Sequence, residues 1–566
     1  MSGKDRRLYL SATVLDQDFL DWCHDNMETQ LEMVVEIETP TGTIYASDRN
    51  KYVGSTWYEA LVTFPTINRT IGEWLAPDIQ FSSLTIALNN PTGRFNNFLP
   101  GGVNYDAFIG RSLVVKLGLA EQSATYFPIF SGKITDIAGV SRQIMSLTFI
   151  ARDKKDDLLV TFPNINFNTT DYPNIEDGVL GKAIPVIYGD YTVNLAPDDA
   201  VIPCLVVNGN DPNVKGGTRT NIQLVISVNA NRVFDDTNVY LFKSDVYYLV
   251  TPADVGLVSV NKNAFQIQQN AGTWFDGAQY EYTQGDRFVC RMKGKDLGAY
   301  SENPVWQARD LLMTYGGLIS GDFDANWVTY RDKASPAQSA ISTIKSRIWE
   351  DDPKPLITYV LSILEQVRIE AFIDMDLQIK LSSLHFEDWI VSPTHTITNF
   401  DVGEGSLETK IDEKNNINRI KGVFDLHPIR SELANTTATF RNDASIAQIQ
   451  KTISKQITFP NLYIKSEVEL QVKEILRLSS SIFETVNVHL TWRSVLKDIG
   501  DFVLLDIRIG ATIFQNVPAM IRDFGYDPQG MRIPVSLWSF QLVPFPGYVP
   551  GYVGTVGGYA ASLTQE

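Results

Sequence analysis

The chain has 566 residues, 44% of them hydrophobic and 20% charged, which is too long for one hydrophobic core and apolar enough for several. A net charge of −18 argues against a main surface built to hold nucleic acid, because phosphate binding takes a basic stripe, though an acidic channel past which nucleic acid slides stays compatible. Cys23, Cys204 and Cys290 are too few and too scattered for a disulfide framework, and no run approaches the ~20 apolar residues of a membrane-spanning helix. The first residues lack the apolar stretch of a secretion signal, so the expectation is a chain made in a reducing cytoplasm, with no stable membrane insertion.

Residues 1–30 read as an N-terminal arm. Within it Leu15, Phe19, Trp22 and Met27 fall roughly on one helical face, as in a docking helix or a partner-binding arm. From Leu31 the texture turns to β. Short runs such as "EMVVEIET", "TWYEALVTF" and "IMSLTFIARD" are rich in Val, Ile, Phe, Tyr and Thr and are separated by turn residues, which predicts a first barrel-like domain over 31–155. Residues 156–195 are a connector whose centre, "GKAIPVIYGDY", is an apolar strand set between glycines. A small β domain is expected over 196–295.

Residues 296–395 change character. Ser301 with Pro304, and Ser335 with Pro336, read as helix starts; a third helix enters through prolines at 353 and 355, and a hairpin follows. This predicts an α+β domain. Over 396–545 the β pattern returns around one helix, "KSEVELQVKEILRLSSS", giving a second barrel-like domain. Residues 546–566 are a Gly-, Pro- and Tyr-rich tail that packs on a neighbour or stays mobile. The expected fold class is therefore multidomain and mainly β, with an α+β middle and two barrel-like domains bracketing smaller ones. No repeat of solenoid period is present.

Catalytic signatures are missing: there is no HExxH, GxxxxGK[ST] or GxSxG. "GEGS" (Gly403–Ser406) lacks the strand-to-helix setting of a phosphate loop. His385 with Asp388, and Cys23 with His24 and Asp25, are single clusters short of the three or four ligands of a metal site. Asp374 and Asp376 read as hairpin-turn residues, and Glu350, Asp351 and Asp352 as carboxylates at the positive end of a helix. Asn208–Gly217 reads as a turn rather than a calcium loop. The expectation is no enzyme, no cofactor, and no catalytic, cofactor-binding or metal-binding residue.

Four stretches carry a resemblance. "TIALNNPTGRFNNFL" (85–99) is similar to the strand and turn of phage tail β-domains. "FIGRSLVVKLGLA" followed by "FPIFSGKITDIA" resembles their paired strands, with an F-x-G-x-I step from Phe130 to Ile134. "GKAIPVIYGDY" resembles a G-x-x-x-P-x-x-Y-G connector of tail-tip proteins, and "KDIGDFVLLDI…VPAMIRDFGYD" a closing hairpin of hub barrels. The chain thus resembles the central hub proteins of bacteriophage baseplates and tail tips.

That resemblance implies a homotrimer, a structural virion protein assembled in the bacterial cytoplasm and located in the tail. Each chain would give two barrel-like domains to a ring of six, matching a six-fold tail tube or distal tail ring to a three-fold spike or fibre, with the tape measure protein as a further neighbour. The ring would form part of the DNA ejection channel and bind no specific nucleic acid. The connector strand would dock one domain onto the next. Two alternatives stand beside the hub. One is a receptor- or carbohydrate-binding tail protein, which calls for exposed aromatics on 196–295, Trp274 among them, whereas Tyr548, Tyr552 and Tyr559 of the tail offer surface for chain-to-chain contact in an assembly. The other is a hexameric distal tail protein. A glycan hydrolase would need two facing carboxylates, which the sequence does not propose.

Overall fold

The computed structural model describes residues 31–70, 83–90, 111–119, 122–141, 146–153, 158–193, 287–334, 340–373, 395–403, 417–480, 482–491, 497–509, 512–527 and 532–541, with shorter pieces between them and a last piece at 563–565. The N-terminal arm, Asp374, Asp376, Trp274 and the tail tyrosines lie outside the described residues.

The first unit comprises β1 (Leu31–Thr39), β2 (Gly42–Ser47), β3 (Lys51–Val53), β4 (Thr56–Ala60), β5 (Val62–Thr63), β6 (Ile67–Thr70), β7 (Ser83–Asn89), β8 (Ser112–Leu119), β9 (Gln122–Ser141) and β10 (Ser146–Asp153). All but β6 form one sheet in the order β3-β4-β2-β1-β8-β9-β10-β7-β5. The period-two pattern is why these runs are strands: Leu84, Ile86 and Leu88 of β7 are buried while Thr85, Ala87 and Asn89 between them are exposed. β4 and β5 are two halves of one segment, and that segment bonds to both ends of the sheet. Leu61 N–H donates to the Ser47 carbonyl (2.9 Å), and Asn89 N–H donates to the Leu61 carbonyl (2.7 Å). The sheet therefore curls round on itself. The "NNPTGRFNNF" turn folds over one end: the Asn90 amide oxygen accepts from Phe95 N–H at 3.0 Å, which drops Phe95 and Phe98 into the core.

Beyond it, β11 (Thr161–Phe162) and β12 (Val186–Tyr188) belong to the connector. A seven-stranded sheet follows from β13 (Ile202–Val206), β14 (Gln223–Ser227), β15 (Val239–Lys243), β16 (Val246–Leu249), β17 (Val255–Val258), β18 (Phe265–Gln269) and β19 (Arg287–Cys290), in the order β16-β15-β19-β13-β14-β18-β17. Cys204 and Cys290, on neighbouring strands, are buried free thiols, and burial pushes Cys204 well above the ordinary thiol range.

The middle has helices Pro304–Tyr315, Asn326–Arg331 and Leu356–Glu365 with β20 (Ile348–Glu350), β21 (Lys354–Pro355), β22 (Ile369–Ile373) and β23 (Ile379–Ser383). The first helix starts two residues after the expected Ser301 cap: Asn303 caps it instead, its side chain accepting from Trp306 N–H at 3.0 Å, with Pro304 in the first turn.

The C-terminal part has β24 (His395–Thr398), β25 (Glu408–Ile411), β26 (Arg419–His427), β27 (Glu432–Asn442), β28 (Ser454–Phe459), β29 (Ile482–Leu490), β30 (Phe502–Ile509), β31 (Thr512–Tyr526), β32 (Ile533–Gln541) and β33 (Leu563–Gln565). These contribute to two sheets. One runs β24-β30-β31-β32-β29-β25, with β6 added on β31; the other runs β28-β26-β27-β33. The second of these, with helix Lys465–Ser479, buries its apolar face against the helices of the α+β region in a single core. The first shares a different core with the first unit, from Met33 to Trp538. The end of the tail is thus the edge strand of a sheet, with Leu563 to Gln565 paired to Asn442 to Phe440.

Candidate assembly site: a duplicated β unit and a strand handed between its copies

The two sheets that share a core are the same unit twice. In each, four consecutive strands lie in one order: β7-β10-β9-β8 in the first and β29-β32-β31-β30 in the second. The match extends to single hydrogen bonds. Gly110 N–H donates to the Ile134 carbonyl (2.8 Å) and Ile134 N–H returns to Arg111 (2.9 Å); Gly500 N–H donates to Ile521 (2.8 Å) and Ile521 N–H returns to Asp501 (3.0 Å). Both glycines have positive φ, 84° and 78°. One residue past each isoleucine the register slips, at Thr135 and at Arg522, a β-bulge in the same place in both copies.

The buried stripes then coincide. Leu113, Val115 and Leu117 correspond to Val503, Leu505 and Ile507; Leu84, Ile86 and Leu88 correspond to Val486, Val488 and Leu490. Closure is matched as well. Asn89 N–H to Leu61 has its counterpart in Thr491 N–H to Asp401 (2.8 Å), and the Val62–Leu88 pair in the Val402–Leu490 bridge. β24, like β4, precedes that closing segment and runs parallel to its neighbour.

The copies differ in two ways. β24 pairs β30 directly, whereas in the first unit the β1–β2 hairpin is spliced in between β4 and β8. With β3 and β4 this hairpin carries exposed aromatics: Tyr52 is 67% and Trp57 43% exposed, with ring centroids 4.8 Å apart. The second difference is β6. On leaving β5 the chain departs its own unit and pairs antiparallel with β31 of the other, Ile67 to Thr70 against Tyr526 to Asp523. Gly525 is where this fits tightly, since a Cβ there would lie 2.5 Å from the Asn68 side-chain oxygen.

The connector works elsewhere. β12 is fully buried and pairs β20 of the α+β region, Val186 with Glu350 and Tyr188 with Ile348, rather than either curled unit. Tyr188 Oη donates to Asp310 at 2.6 Å, and Lys295 pairs with the same oxygen at 2.6 Å. Just beyond, Arg347 donates from Nε and Nη2 to Asp425 Oδ1 at 3.0 and 2.6 Å and lies between the rings of Tyr191 and Tyr463, 4.8 and 4.7 Å from their centroids. This clamp ties the end of the connector to β26.

The residues examined for chemistry are not brought together. Glu350 ends β20 and pairs with Lys354 at 2.7 Å; burial pushes its carboxyl up, as it does that of Asp351. Asp388 is paired with Lys333. Gly403 and Ser406 belong to the closing segment, where Gly403 N–H donates to the His489 carbonyl at 2.7 Å, a structural turn rather than a phosphate cradle. Among the described residues no group of three or more His, Cys, Asp or Glu could hold a metal. A cavity of about 650 Å³ opens beside β29, β31 and β32 and is lined by Asn68, Glu408, Asn487, His489, Asp523 and Ser536.

His385 is fully buried, its Nε2 3.1 Å from the Val367 carbonyl, and Nδ1 has no hydrogen-bond partner among the described residues. Burial, with Lys333 and Arg368 nearby, holds this imidazole well below its ordinary range. The unfolded chain therefore binds the proton that the folded chain refuses, and stability falls with acidification below about pH 6.5, by about 1.4 kcal/mol per pH unit from this residue. Denaturant titrations of wild type and His385→Gln between pH 7.5 and 5.5 check this: the variant is expected to lose that slope, and parallel slopes would refute it.

The chain is thus a multidomain, mainly-β protein organised around two curled sheets with matching strand order. No protein-family model matches it, and no curated protein matches it. Among solved structures it is similar to a tail protein from Neisseria meningitidis MC58, at 9% identity and a TM-score of 0.39 over 90% of this chain and 97% of that one. It is similar at the same identity and score to the 43 kDa tail protein of prophage MuSo2 from Shewanella oneidensis, over 90% of this chain and 98% of that one. A chain of the virion of a native gene transfer agent particle aligns at 13% identity and a TM-score of 0.20, over 50% of this chain and 86% of that one.

Proposed function

We propose that this protein is a structural component of a phage-type tail, the central hub of a tail tip or baseplate, acting by position and without catalysis. The duplicated unit carries this reading. Three copies of a chain with two equivalent units place six similar units in a closed ring, so one component can meet a six-fold tube on one side and a three-fold spike or fibre on the other. The shared core and β6 fix the two units of one chain as neighbours, which is the spacing such a ring requires. The net charge of −18 suits a lumen past which DNA slides during ejection.

Light scattering and negative-stain imaging of the purified full-length chain test this. The expected particle has three times the 63.4 kDa chain mass and a ring of six lobes. Six times that mass would replace the hub with a distal tail ring. The receptor-binding alternative has one observation in its favour, the exposed Tyr52–Trp57 pair, because paired flat rings suit sugar stacking. A lasting monomer that retains glycans, and loses them in Trp57→Ala, would establish that alternative instead.

A further inference from the structure

The two units share four strands in one order, yet one seat that is filled in the second has no described occupant in the first. In the second unit, β31 runs on past the start of β30, and β6 takes the edge so exposed, on the side away from β32. In the first unit β9 runs on past the start of β8 in the same way. The last residue of β9 paired with β8 is Lys133, the Gly110–Arg111 turn covers Ile134, and Ile137–Ser141 then pair only with β10 among the described strands. The equivalence follows from the bulge: Thr135 corresponds to Arg522, so Ile137 and Ala138 stand where Phe524 and Gly525 stand.

We infer that the Ile137–Ser141 edge of β9 receives an extended strand from a second copy of this chain. The occupant follows from how the matched seat is filled. β6 does not come from the unit it completes; it is lent by the adjoining unit. With two such units among the described residues, the unit adjoining the first on its open side would belong to another copy. The edge itself fits a paired state. Ile-Ala-Gly-Val-Ser carries no charge and no proline, two of the devices that keep a solvent-facing edge from pairing, and its one irregularity is a bulge at Gly139, where β9 shifts register on β10. Four or five backbone pairs would form, as at β6, giving recognition by strand addition. Each copy would offer one such seat and fill one on its neighbour. The contact is therefore head-to-tail and closes only as a ring or runs on as a filament.

The inference rests on the ring reading above, and one experiment separates the two. Amide hydrogen exchange of the full-length chain is followed by mass spectrometry at concentrations where it is assembled and at dilutions where it is monomeric. The expected result is at least tenfold slower exchange at Ile137–Ser141 in the assembly, lost on dilution, while β6 stays protected in both. An assembly whose Ile137–Ser141 amides exchange as in the monomer overturns this inference and leaves the ring standing. A chain that never assembles overturns the ring and this inference together. Protection that persists in the monomer assigns the seat to a segment of the same chain and also overturns it. Ala138→Pro is expected to raise the assembly concentration at least tenfold. Should that variant lose the protection of β12, far from the edge, Ile137→Lys serves in its place, and unchanged assembly in a folded variant would count against the inference.

Discussion

Arg347→Ala is expected to loosen the connector by about 3–5 kcal/mol, the cost of leaving one member of a buried ion pair without its partner. Arg347 and Asp425 side chains are 4% and 6% exposed, so water cannot replace the lost guanidinium. Asn435, at 3.0 Å, would remain as a neutral donor to the other carboxylate oxygen. Burial already pushes the Asp425 carboxyl up even though Arg347 pulls it down. The attraction therefore does not fully offset the desolvation. The double variant Arg347→Met with Asp425→Leu is accordingly expected to lose far less than the sum of the single changes. Native-state hydrogen exchange reads this locally: β12 and β20 amides should open more easily in Arg347→Ala, while β7 to β10 keep their wild-type rates. Uniform loosening of the whole chain, or no change at β12, would refute the clamp.

Gly500→Ala should cost about 2–5 kcal/mol, and its counterpart Gly110→Ala only about 1–2. Both glycines sit at positive φ, where a side chain costs roughly 1–2 kcal/mol. They differ in surroundings. A Cβ on Gly500 would lie 2.7 Å from Phe372 Cε1 and 2.9 Å from Ser382 Cβ, and Ser382 Oγ donates to the Gly500 carbonyl at 2.8 Å; a Cβ on Gly110 would meet no described atom within 4 Å. Overpacking adds about 1–3 kcal/mol at Gly500 alone. Thermal unfolding of the two variants measures the difference, and equal midpoints would mean that Phe372 yields without cost.

The texture of the sequence showed the mainly-β class and the α+β middle, because period-two burial and proline-led helix starts are local properties. "IGRSLVVKL" and "IGDFVLLDI" each carry a family likeness, but nothing in the sequence marks them as copies of each other. The reason is spacing. Between the closing segment and the first of the four matched strands, β7 or β29, the first unit has residues 64–82, whereas the second has residues 404–481, which include strands and a helix packed into a different core. A repeat stretched so unequally has no period to detect. The bulges at Thr135 and Arg522 left no mark either, since no residue type is required there. β6 reads "INRT", too short and polar to announce that it belongs to a sheet whose other strands lie several hundred residues on. The tail's final strand was hidden for the same reason. Its three residues gain order only from the edge of β27.

The spliced β1–β2 hairpin has a consequence for counting. Without it the sheets of the two units would present the same framework strands, and a ring of three chains would offer that framework at each of its six seats. With it, every second seat of such a ring would bear the extra hairpin, beside the exposed Tyr52 and Trp57 of β3 and β4, and the seats between would lack it. A neighbour that grips the common framework would count six; one that grips the hairpins would count three. The step between the two numbers would then be written inside a single chain, as one insertion present in one copy of a unit and missing from the other.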